Sequence, residues 1–245
     1  MPRLFVPTET LAGAEVTLEG EPHRYLTRVL RFTAGGRVDL FDGRGLEVEA
    51  TIVRAGSRQV TLQLGDRRTV AVGTTPPVTL LQGLARAERM ELVIQKATEL
   101  GARRVIPVRT ARSAAGQEGR GGRWEKIARE AARQCGRADS LDVSDVMSLG
   151  EAISSLSVGT QRFVPWEEAP EAPPLGRAVG QAALGVDILI GPEGGLTRDE
   201  VELAQGAGFQ VVTLGPRILR TETAAIAALA VIQDRLGGLG GGCSR

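Results

Sequence analysis

The sequence predicts an α/β protein in two parts, a small β-rich module followed by a larger domain on a parallel sheet. Three observations carry this prediction. Residues 37–64 alternate apolar and polar side chains, as half-buried strands do. A strand–helix–strand pattern follows at residues 78–108, and two later segments each read strand, glycine-rich turn and helix. Strands that alternate with helices are typical of a parallel sheet covered by helices.

The β-rich module contains three strand patterns, "RVDLFD", "LEVEATIV" and "QVTLQL", separated by the turn signals "GRG" and "AGSR". Pro76 and Pro77 follow it and indicate a domain boundary. We therefore expect a first domain at residues 1–72 and a second at 73–238. The remaining tail, 239–245, is glycine-rich and lacks apolar periodicity, so we expect it to be disordered.

The second domain is predicted to begin with the strands "VTLLQG" and "RRVIPV" and the helix "RAERMELVIQKATEL" between them. Gly101 is placed to end this helix. A mobile loop is expected at 113–122, before the helix "RWEKIAREAARQ". The residues expected to face inward from the two helices are Met90, Val93, Ile94, Ala97, Leu100, Trp124, Ile127, Ala128 and Ala131.

Composition narrows the class of protein. The 245 residues are 42% hydrophobic with a net charge of +1, enough apolar material for a core. Residues 71–140 carry 13 basic against 7 acidic side chains, whereas 141–245 carry 7 against 13. Cys135 and Cys243 show no metal-ligand spacing, which argues against a zinc site or a disulfide framework. With no leader pattern and no long apolar segment, we expect a cytoplasmic enzyme without a metal.

The first glycine-rich turn is "GPEGGLT", which follows the apolar run "VDILI". It lacks the Gly-Lys-Ser/Thr ending of a P-loop, and it is not a dinucleotide fingerprint. Gly191, Gly194 and Gly195 permit close approach of the backbone, and Thr197 with Glu200 forms a capping-box pattern for the next helix. Taken alone, this turn fits a purely structural role better than a functional one.

The second turn lies in "LGPRILRTETAAIAALA", where another Gly-Pro follows a strand and precedes a strongly apolar helix. A structural interpretation makes Thr221 or Thr223 the N-cap of that helix and Glu222 a partner of its dipole. Two such turns at neighbouring strand ends would instead line one pocket. The presence of both turns in one chain favours a functional site.

These segments carry a family resemblance. "GPEGGLTRDEVELA", "LGPRILRTETAAIAAL", "ERMELVIQKATELGARRVIPV" and "REAARQCGR" resemble the ribosomal RNA small-subunit methyltransferase E family of the SPOUT superfamily. "HRYLTRVLRFTAGGRVDLFDGRG" is similar to that family's PUA-like RNA-binding module, so the resemblance covers nearly the whole chain. "QCGR" departs from the family's commoner serine at Cys135, which weakens any catalytic role there.

The resemblance implies S-adenosylmethionine (SAM) as methyl donor, with S-adenosylhomocysteine as product, and transfer to N3 of a uridine in 16S rRNA of the small ribosomal subunit. It also implies a homodimer and a deep C-terminal trefoil knot, which no pattern argument could reveal. The residues that it places around the cofactor are Pro165, Trp166, Gly191, Glu193, Gly195, Leu214, Gly215, Ile218 and Leu219. Trp166 fits an ordinary core position nearly as well.

Methylation at uridine N3 requires a proton acceptor or stabilisation of the deprotonated base. Arg220 is the first catalytic candidate, as a cation that favours the uracil anion or fixes a phosphate, although an ordinary salt bridge is a rival interpretation. Glu222 and Glu193 are candidates to accept the proton. His23, the single histidine, fits packing or an RNA contact better than catalysis.

Basic residues predict where RNA binds, although such runs are usually solvated faces. Arg24, Arg28 and Arg31 fall at helical spacing, and Arg112, Arg123 and Arg137 extend the basic set in and beyond the glycine-rich loop. Three alternative functions remain open: a SPOUT enzyme that methylates tRNA or a ribose hydroxyl, a non-catalytic RNA-binding assembly factor and, least favoured, a dinucleotide enzyme.

Overall fold

The computed structural model describes residues 1–70, 75–116, 119–180 and 184–239. The chain forms two compact units. The first unit comprises Met1–Val72 and Ala132–Ser140, and the second comprises Gly73–Ala131 and Leu141–Arg245. The units differ from the predicted domains in that residues 132–140 join the first unit. The predicted disordered tail lies outside the described residues except for Leu239.

The first unit is built on a five-stranded sheet of order β1-β3-β4-β5-β2, in which β1 and β3 are parallel and the other pairs are antiparallel. The three strands predicted at 37–64 are confirmed as β3, β4 and β5. A short helix, α1, is followed directly by a π-helical turn at Tyr25–Val29. The bounds are β1 Arg3–Phe5, β2 Glu15–Glu19, α1 Gly20–Arg24, β3 Arg37–Phe41, β4 Leu46–Ala55 and β5 Gln59–Thr69.

The second unit is built on a parallel sheet of order β12-β10-β11-β6-β7-β8, with β9 also paired to β7. The α/β class is therefore confirmed. Its strands are β6 Val78–Gly83, β7 Arg104–Arg109, β8 Asp142–Val143, β9 Met147–Ser148, β10 Gln161–Pro165, β11 Val186–Ile190 and β12 Phe209–Val212. Its helices are α2 Ala87–Glu99, α3 Gly121–Cys135, α4 Leu149–Ser154, α5 Leu175–Ala178, α6 Arg198–Gly206 and α7 Thr221–Arg235, and the last four residues of α3 belong to the first unit.

Apolar side chains cover both faces of this sheet. Successive residues of a strand point to opposite faces, and in β11 Ile188 and Ile190 join one cluster while Leu189 joins the other. The first cluster receives side chains from α2, α3, α5 and α7, whereas the second receives them from α4 and α6. This three-layer arrangement leaves the carboxyl ends of the strands as the open edge at which ligands bind in such folds.

Local predictions hold with small shifts. Gly101 follows α2 with φ of +79°, a left-handed conformation that favours glycine and ends a helix. α3 begins at Gly121, two residues before the predicted start at Arg123. The predicted loop at 113–122 therefore ends at Arg120, and its residues 117–118 lie outside the described part of the chain. Within the described residues no helix is both long enough and apolar enough to cross a membrane.

Candidate functional site

The two glycine-rich turns lie at one edge of the second unit's sheet. The first follows β11 and the second follows β12, and β10 lies between these two strands. All three strands are parallel, so their carboxyl ends meet at the same edge. β10 ends there at Pro165, which brings the segment after it beside both turns.

A cavity of about 310 Å³ lies between these three segments. All nine residues that the family resemblance assigned to the cofactor line it, and so do two of the three catalytic candidates, Arg220 and Glu193. Ile218 is an apolar lining residue that is 88% exposed, which leaves an uncovered apolar surface inside a concave site. Glu222 does not line the cavity, although it pairs with a residue that does.

The first turn is shaped by positions that tolerate only glycine. Gly195 has φ of +72°, and a Cβ there would lie 2.8 Å from Glu167 Oε1. A Cβ at Gly83, at the end of β6, would lie 2.5 Å from the backbone nitrogen of Pro192. The turn after β11 and the end of β6 therefore approach each other with backbone in contact and no side chain between them.

The capping box predicted for the helix after this turn is confirmed. Thr197 is the N-cap of α6, and its hydroxyl accepts a hydrogen bond from Glu200 N at 3.3 Å. Glu200 Oε2 accepts in return from Thr197 N at 2.9 Å, and Oε1 accepts from Ala111 N at 2.7 Å. Arg112 Nη1 also donates to the carbonyl oxygen of Gly194 at 2.9 Å. The segment after β7 is thus attached to the first turn.

The structural alternative for the second turn is wrong about the N-cap, which is neither Thr221 nor Thr223, although Glu222 does lie in the first turn of α7 as it predicted. The N-cap of α7 is Arg220, whose side chain makes no capping hydrogen bond. Thr221 is buried, and its hydroxyl does not cap the helix. The hydroxyl donates to the carbonyl oxygen of Gly191 at 2.6 Å and accepts from Gln82 Nε2 at 2.9 Å. A buried chain of hydrogen bonds therefore joins the end of β6, the first turn and the start of α7.

The acidic candidates share one arginine, which sequence reasoning did not assign to the site. Arg89, in the first turn of α2, lines the cavity. Its guanidinium lies 3.5 Å from Glu193 Oε1 and 3.4 Å from Glu222 Oε2. Glu193 Oε1 also accepts from Arg86 N at 3.0 Å. By contrast, the side chain of Arg220 has no hydrogen bond or ion pair with the described residues, so the salt bridge considered for it is not observed.

Trp166 is half-buried, packs against the apolar cluster under α4 and α6, and also lines the cavity. Its Nε1 is buried and has no hydrogen-bond partner among the described residues. A buried indole N–H usually has a partner, so an unpaired one in a residue that lines a cavity is uncommon. Both interpretations of this residue, core and cofactor contact, therefore fit its position.

Arg24, Arg28 and Arg31, which were predicted to bind RNA, are all exposed but do not form one helical stripe. Arg24 ends α1, Arg28 lies in the π-helical turn, and Arg31 follows it with φ of +54°. The change of helical pitch after Arg24 breaks the predicted spacing. His23 is buried, and its Nε2 lies 2.9 Å from the carbonyl oxygen of Gly56, as its packing interpretation predicted.

The remaining basic candidates have acidic or backbone partners. Arg137, in the first unit, pairs with Asp139 at 2.7 Å. Arg123, on α3, pairs with Glu91 of α2, and this hydrogen bond holds the pKa of the Glu91 carboxyl below its usual value. Within the described residues no cluster of three or more His, Cys, Asp or Glu side chains is arranged to hold a metal ion.

Sequence reasoning missed several lining residues that the fold brings to the cavity. They are Arg89, Glu167, Ile190, Pro192, Leu196, Thr213, Arg217, Thr221 and Ala224. Most of them are neighbours of predicted residues on the two turns and were within reach of the same motif argument. Arg89 had no such signal, because its place in the site depends on where α2 packs.

Comparison with known proteins agrees with this site. Residues 74–233 match a family described as the RNA methyltransferase domain, and residues 18–65 match the RNA methyltransferase PUA domain. The ribosomal RNA small subunit methyltransferase E of Mycobacterium bovis is 33% identical, over 93% of this chain and 89% of that protein. The protein of the same name from Bacillus subtilis is 31% identical, over 92% of this chain and 90% of that protein.

A solved structure has the same fold over nearly its full length. The ribosomal RNA small subunit methyltransferase E of Neisseria gonorrhoeae, in a crystal structure bound to SAM, superposes with a TM-score of 0.86 and 31% identity. The match covers 96% of this chain and 97% of that one. With its PUA-like first unit, its parallel α/β sheet and these matches, the chain belongs to the ribosomal RNA small-subunit methyltransferase E family of RNA methyltransferases.

Proposed function

We propose that this protein transfers a methyl group from SAM to N3 of a uridine in the 16S rRNA of the small ribosomal subunit. The observation that carries the proposal is one cavity at the carboxyl edge of the sheet that is lined by all nine residues expected around the cofactor. The Neisseria relative, whose fold matches over nearly the whole chain, was crystallised with SAM.

The cavity residues fit SAM. Nothing lies within 4 Å of a Cβ placed at Gly215, so the backbone of the second turn is accessible, whereas the Glu167 carboxylate lies beside Gly195 on the first turn. The Trp166 indole N–H is an unpaired buried donor, and Leu214, Ile218 and Leu219 offer an apolar wall for a flat ring. When bound, SAM supplies an electrophilic methyl group. No metal is required.

Arg220 is proposed as the catalytic cation. Its charge is not neutralised by a neighbouring carboxylate among the described residues, and it lines the cavity at the start of α7. The side chain is therefore free to stabilise the negative charge that develops on the uracil ring as N3 loses its proton. The helix N-terminus beside it adds positive potential to the same place.

Glu193 is proposed as the proton acceptor ahead of Glu222, because Glu193 lines the cavity and Glu222 does not. Arg89 holds both carboxylates in place. Glu193→Gln should lower kcat by about 10²–10⁴-fold and remove the acidic limb of the pH–rate profile. Glu222→Gln, which keeps the shape but not the charge beside Arg89, is the matched control. An unchanged profile in Glu193→Gln would assign the proton to another acceptor.

The remaining parts of the proposal concern RNA and assembly. Residues 1–72 are proposed as the RNA-binding domain and 73–238 as the catalytic domain, with Arg24, Arg28, Arg31, Arg112, Arg123 and Arg137 as RNA contacts. A homodimer and a C-terminal trefoil knot are proposed from the family resemblance. A cytoplasmic location is proposed because the proposed substrate is the rRNA of the small ribosomal subunit.

The test combines the purified protein, SAM with a labelled methyl group and small ribosomal subunits that lack native modifications. The rRNA is then digested, and the labelled nucleoside is identified by mass spectrometry. N3-methyluridine is the expected product. Label on another nucleoside would support methyltransferase activity but refute uridine N3 as the methylated atom. SAM binding without any label would favour a non-catalytic assembly factor.

A further inference from the structure

A second cavity, of about 390 Å³, lies in the second unit at the same carboxyl edge of the sheet. Its walls come from the end of β7, the start of α3 and the segment after β8. The first cavity belongs to β10, β11 and β12, and only β6 lies between β11 and β7. At about 4.8 Å between neighbouring strands, the nearest strands of the two sites, β11 and β7, lie on the order of 10 Å apart along the edge.

The start of α3 supplies donors to this second cavity. The first N–H groups of a helix have no partner within the helix, and in α3 two of them belong to the lining residues Gly121 and Gly122. A Cβ at Gly122 would meet nothing within 4 Å, whereas one at Gly121 would lie 3.9 Å from Asp145 Oδ1, so the Asp145 carboxylate lies beside the start of α3 and Gly122 is left uncovered. α3 is 15 residues long, which gives its N-terminus an appreciable positive potential.

An independent observation also points to a ligand. Trp124 lines the cavity and is only 1% exposed, yet its indole Nε1 is buried and has no hydrogen-bond partner among the described residues. Such an unpaired buried donor is uncommon and costs free energy unless something accepts from it. Ser144 Oγ accepts from Arg104 Nε at 2.8 Å, so its own hydroxyl hydrogen is a further donor in the wall.

Two charged side chains complete the walls. Arg109, at the end of β7, brings a cation, which the neighbouring carboxylate of Glu151 partly balances. Asp145 brings a carboxylate, an acceptor for hydroxyl or N–H groups. A simple anion would be repelled by Asp145. A ribonucleotide, however, has a phosphate for the donors and ribose hydroxyls for the carboxylate, and the volume lies within the usual range for such ligands.

We propose that this second cavity binds one ribonucleotide of the RNA substrate, near the nucleotide that enters the first cavity. Its phosphate lies against the α3 amides, Trp124 Nε1 and Arg109, and its 2′-hydroxyl donates to Asp145. The segment between the two sites carries Arg112, which is already attached to the first turn through Gly194. The assignment of RNA as ligand rests on the proposed function, but the site itself is tested separately.

The direct test follows the indole N–H resonances of the two tryptophans by NMR. The resonance that is missing in Trp124→Phe belongs to Trp124. Uridine 5′-monophosphate should shift the Trp124 resonance, and inorganic phosphate should do so only weakly. Arg109→Gln should weaken binding about tenfold or more. Asp145→Asn should remove the preference over the 2′-deoxynucleotide. Arg129→Gln, on the same helix outside the cavity, should change nothing.

No shift with uridine 5′-monophosphate, or a shift that Arg109→Gln leaves unchanged, would overturn the site. If inorganic phosphate shifted the Trp124 resonance as much as uridine 5′-monophosphate does, the proposal that the ligand is a ribonucleotide would be refuted. SAM should shift the other indole resonance, that of Trp166. If the protein neither binds SAM nor transfers a methyl group, the proposed function is refuted, but the second cavity is still tested by the Trp124 resonance. With small subunits, Arg109→Gln should raise KM, leave kcat and SAM affinity unchanged, and lower the salt slope by about 0.7.

Discussion

Arg220 and Arg89 line the same cavity with different electrostatic surroundings. Arg89 is paired with two carboxylates, whereas the Arg220 side chain has no ion pair with the described residues. Arg220→Ala should therefore leave stability and SAM affinity nearly unchanged and reduce kcat by about 10²–10³-fold, the usual loss when one charge-stabilising donor is removed. Single-turnover methyl transfer and titration calorimetry measure the two effects. Arg177→Ala, exposed on α5, is the control, and equal activity of Arg220→Ala would exclude Arg220 from the mechanism.

The buried carboxyl group of Asp187 should make the free energy of unfolding depend on pH. It lies on β11 and is 2% exposed, with Thr160 Oγ1 donating to Oδ2 at 2.5 Å and Arg162 Nε at 3.6 Å. Burial raises the pKa of this carboxyl above its ordinary 3.8, and the hydrogen bonds and Arg162 only partly oppose that. The folded state thus binds the proton more tightly than the unfolded state. The contribution of Asp187 to the free energy of unfolding is therefore largest below pH 3.8 and falls as pH rises through the raised pKa.

Asp187→Asn should remove that fall. The difference in free energy of unfolding between the variant and the wild type should shift in favour of the variant as pH rises from about 4 to 7. Urea unfolding at a series of pH values measures it. A difference that does not change with pH would show that Asp187 has the same pKa in both states.

At the scale of elements, the buried chain from Gln82 through Thr221 to Gly191 ties α7 to both ligand turns. Thr221→Val keeps the shape but removes the hydroxyl, so Gln82 Nε2 loses one acceptor and the Gly191 carbonyl loses its donor. Leaving such buried groups unpaired should cost about 1–3 kcal/mol of stability. Because the first turn lines the cavity, SAM affinity should fall as well. Unfolding and calorimetry measure these effects.

Thr223→Val is the matched control, because Thr223 lies two residues further on and is exposed. It should change neither quantity by more than about 0.5 kcal/mol. Thr221→Ser keeps the hydroxyl and should restore SAM affinity. A Thr221→Val protein that binds SAM as tightly as the wild type would show that the chain serves stability alone.

At the scale of the whole molecule, the first unit is proposed to hold RNA through exposed arginines. Arg28 lies in the π-helical turn, is exposed, and pairs with no carboxylate among the described residues. Arg28→Ala should weaken binding of small subunits and reduce the slope of log K against log salt by about 0.7–0.9, the loss of one phosphate contact. Filter binding at several salt concentrations measures this. Arg37→Ala is the control, since Arg37 is already paired with Glu49 at 3.0 Å. An unchanged slope in Arg28→Ala would show that this face is exposed to solvent and does not contact RNA phosphate.

The sequence by itself determined the elements of the second unit and their functional turns. Alternation and helical periodicity are local properties, so β6, α2 and β11 were located within about one residue, and the Thr197–Glu200 capping box was readable from spacing alone. The nine cofactor residues on three segments were named from the family resemblance of their motifs and not from periodicity. The prediction of a helical stripe at Arg24–Arg31 was wrong, because the π-helical turn has a different pitch that the apolar pattern did not indicate.

Only the tertiary structure decided which distant residues share a site. Arg89 lies more than a hundred positions from Glu193 and Glu222, and Gln82 reaches Thr221 across a similar separation. These contacts depend on strand order and helix packing, which sequence periodicity does not encode. The second cavity arises in the same way, from the ends of β7, β8 and α3. Local patterns thus named the turns, and the parallel order of the strands brought them to one edge.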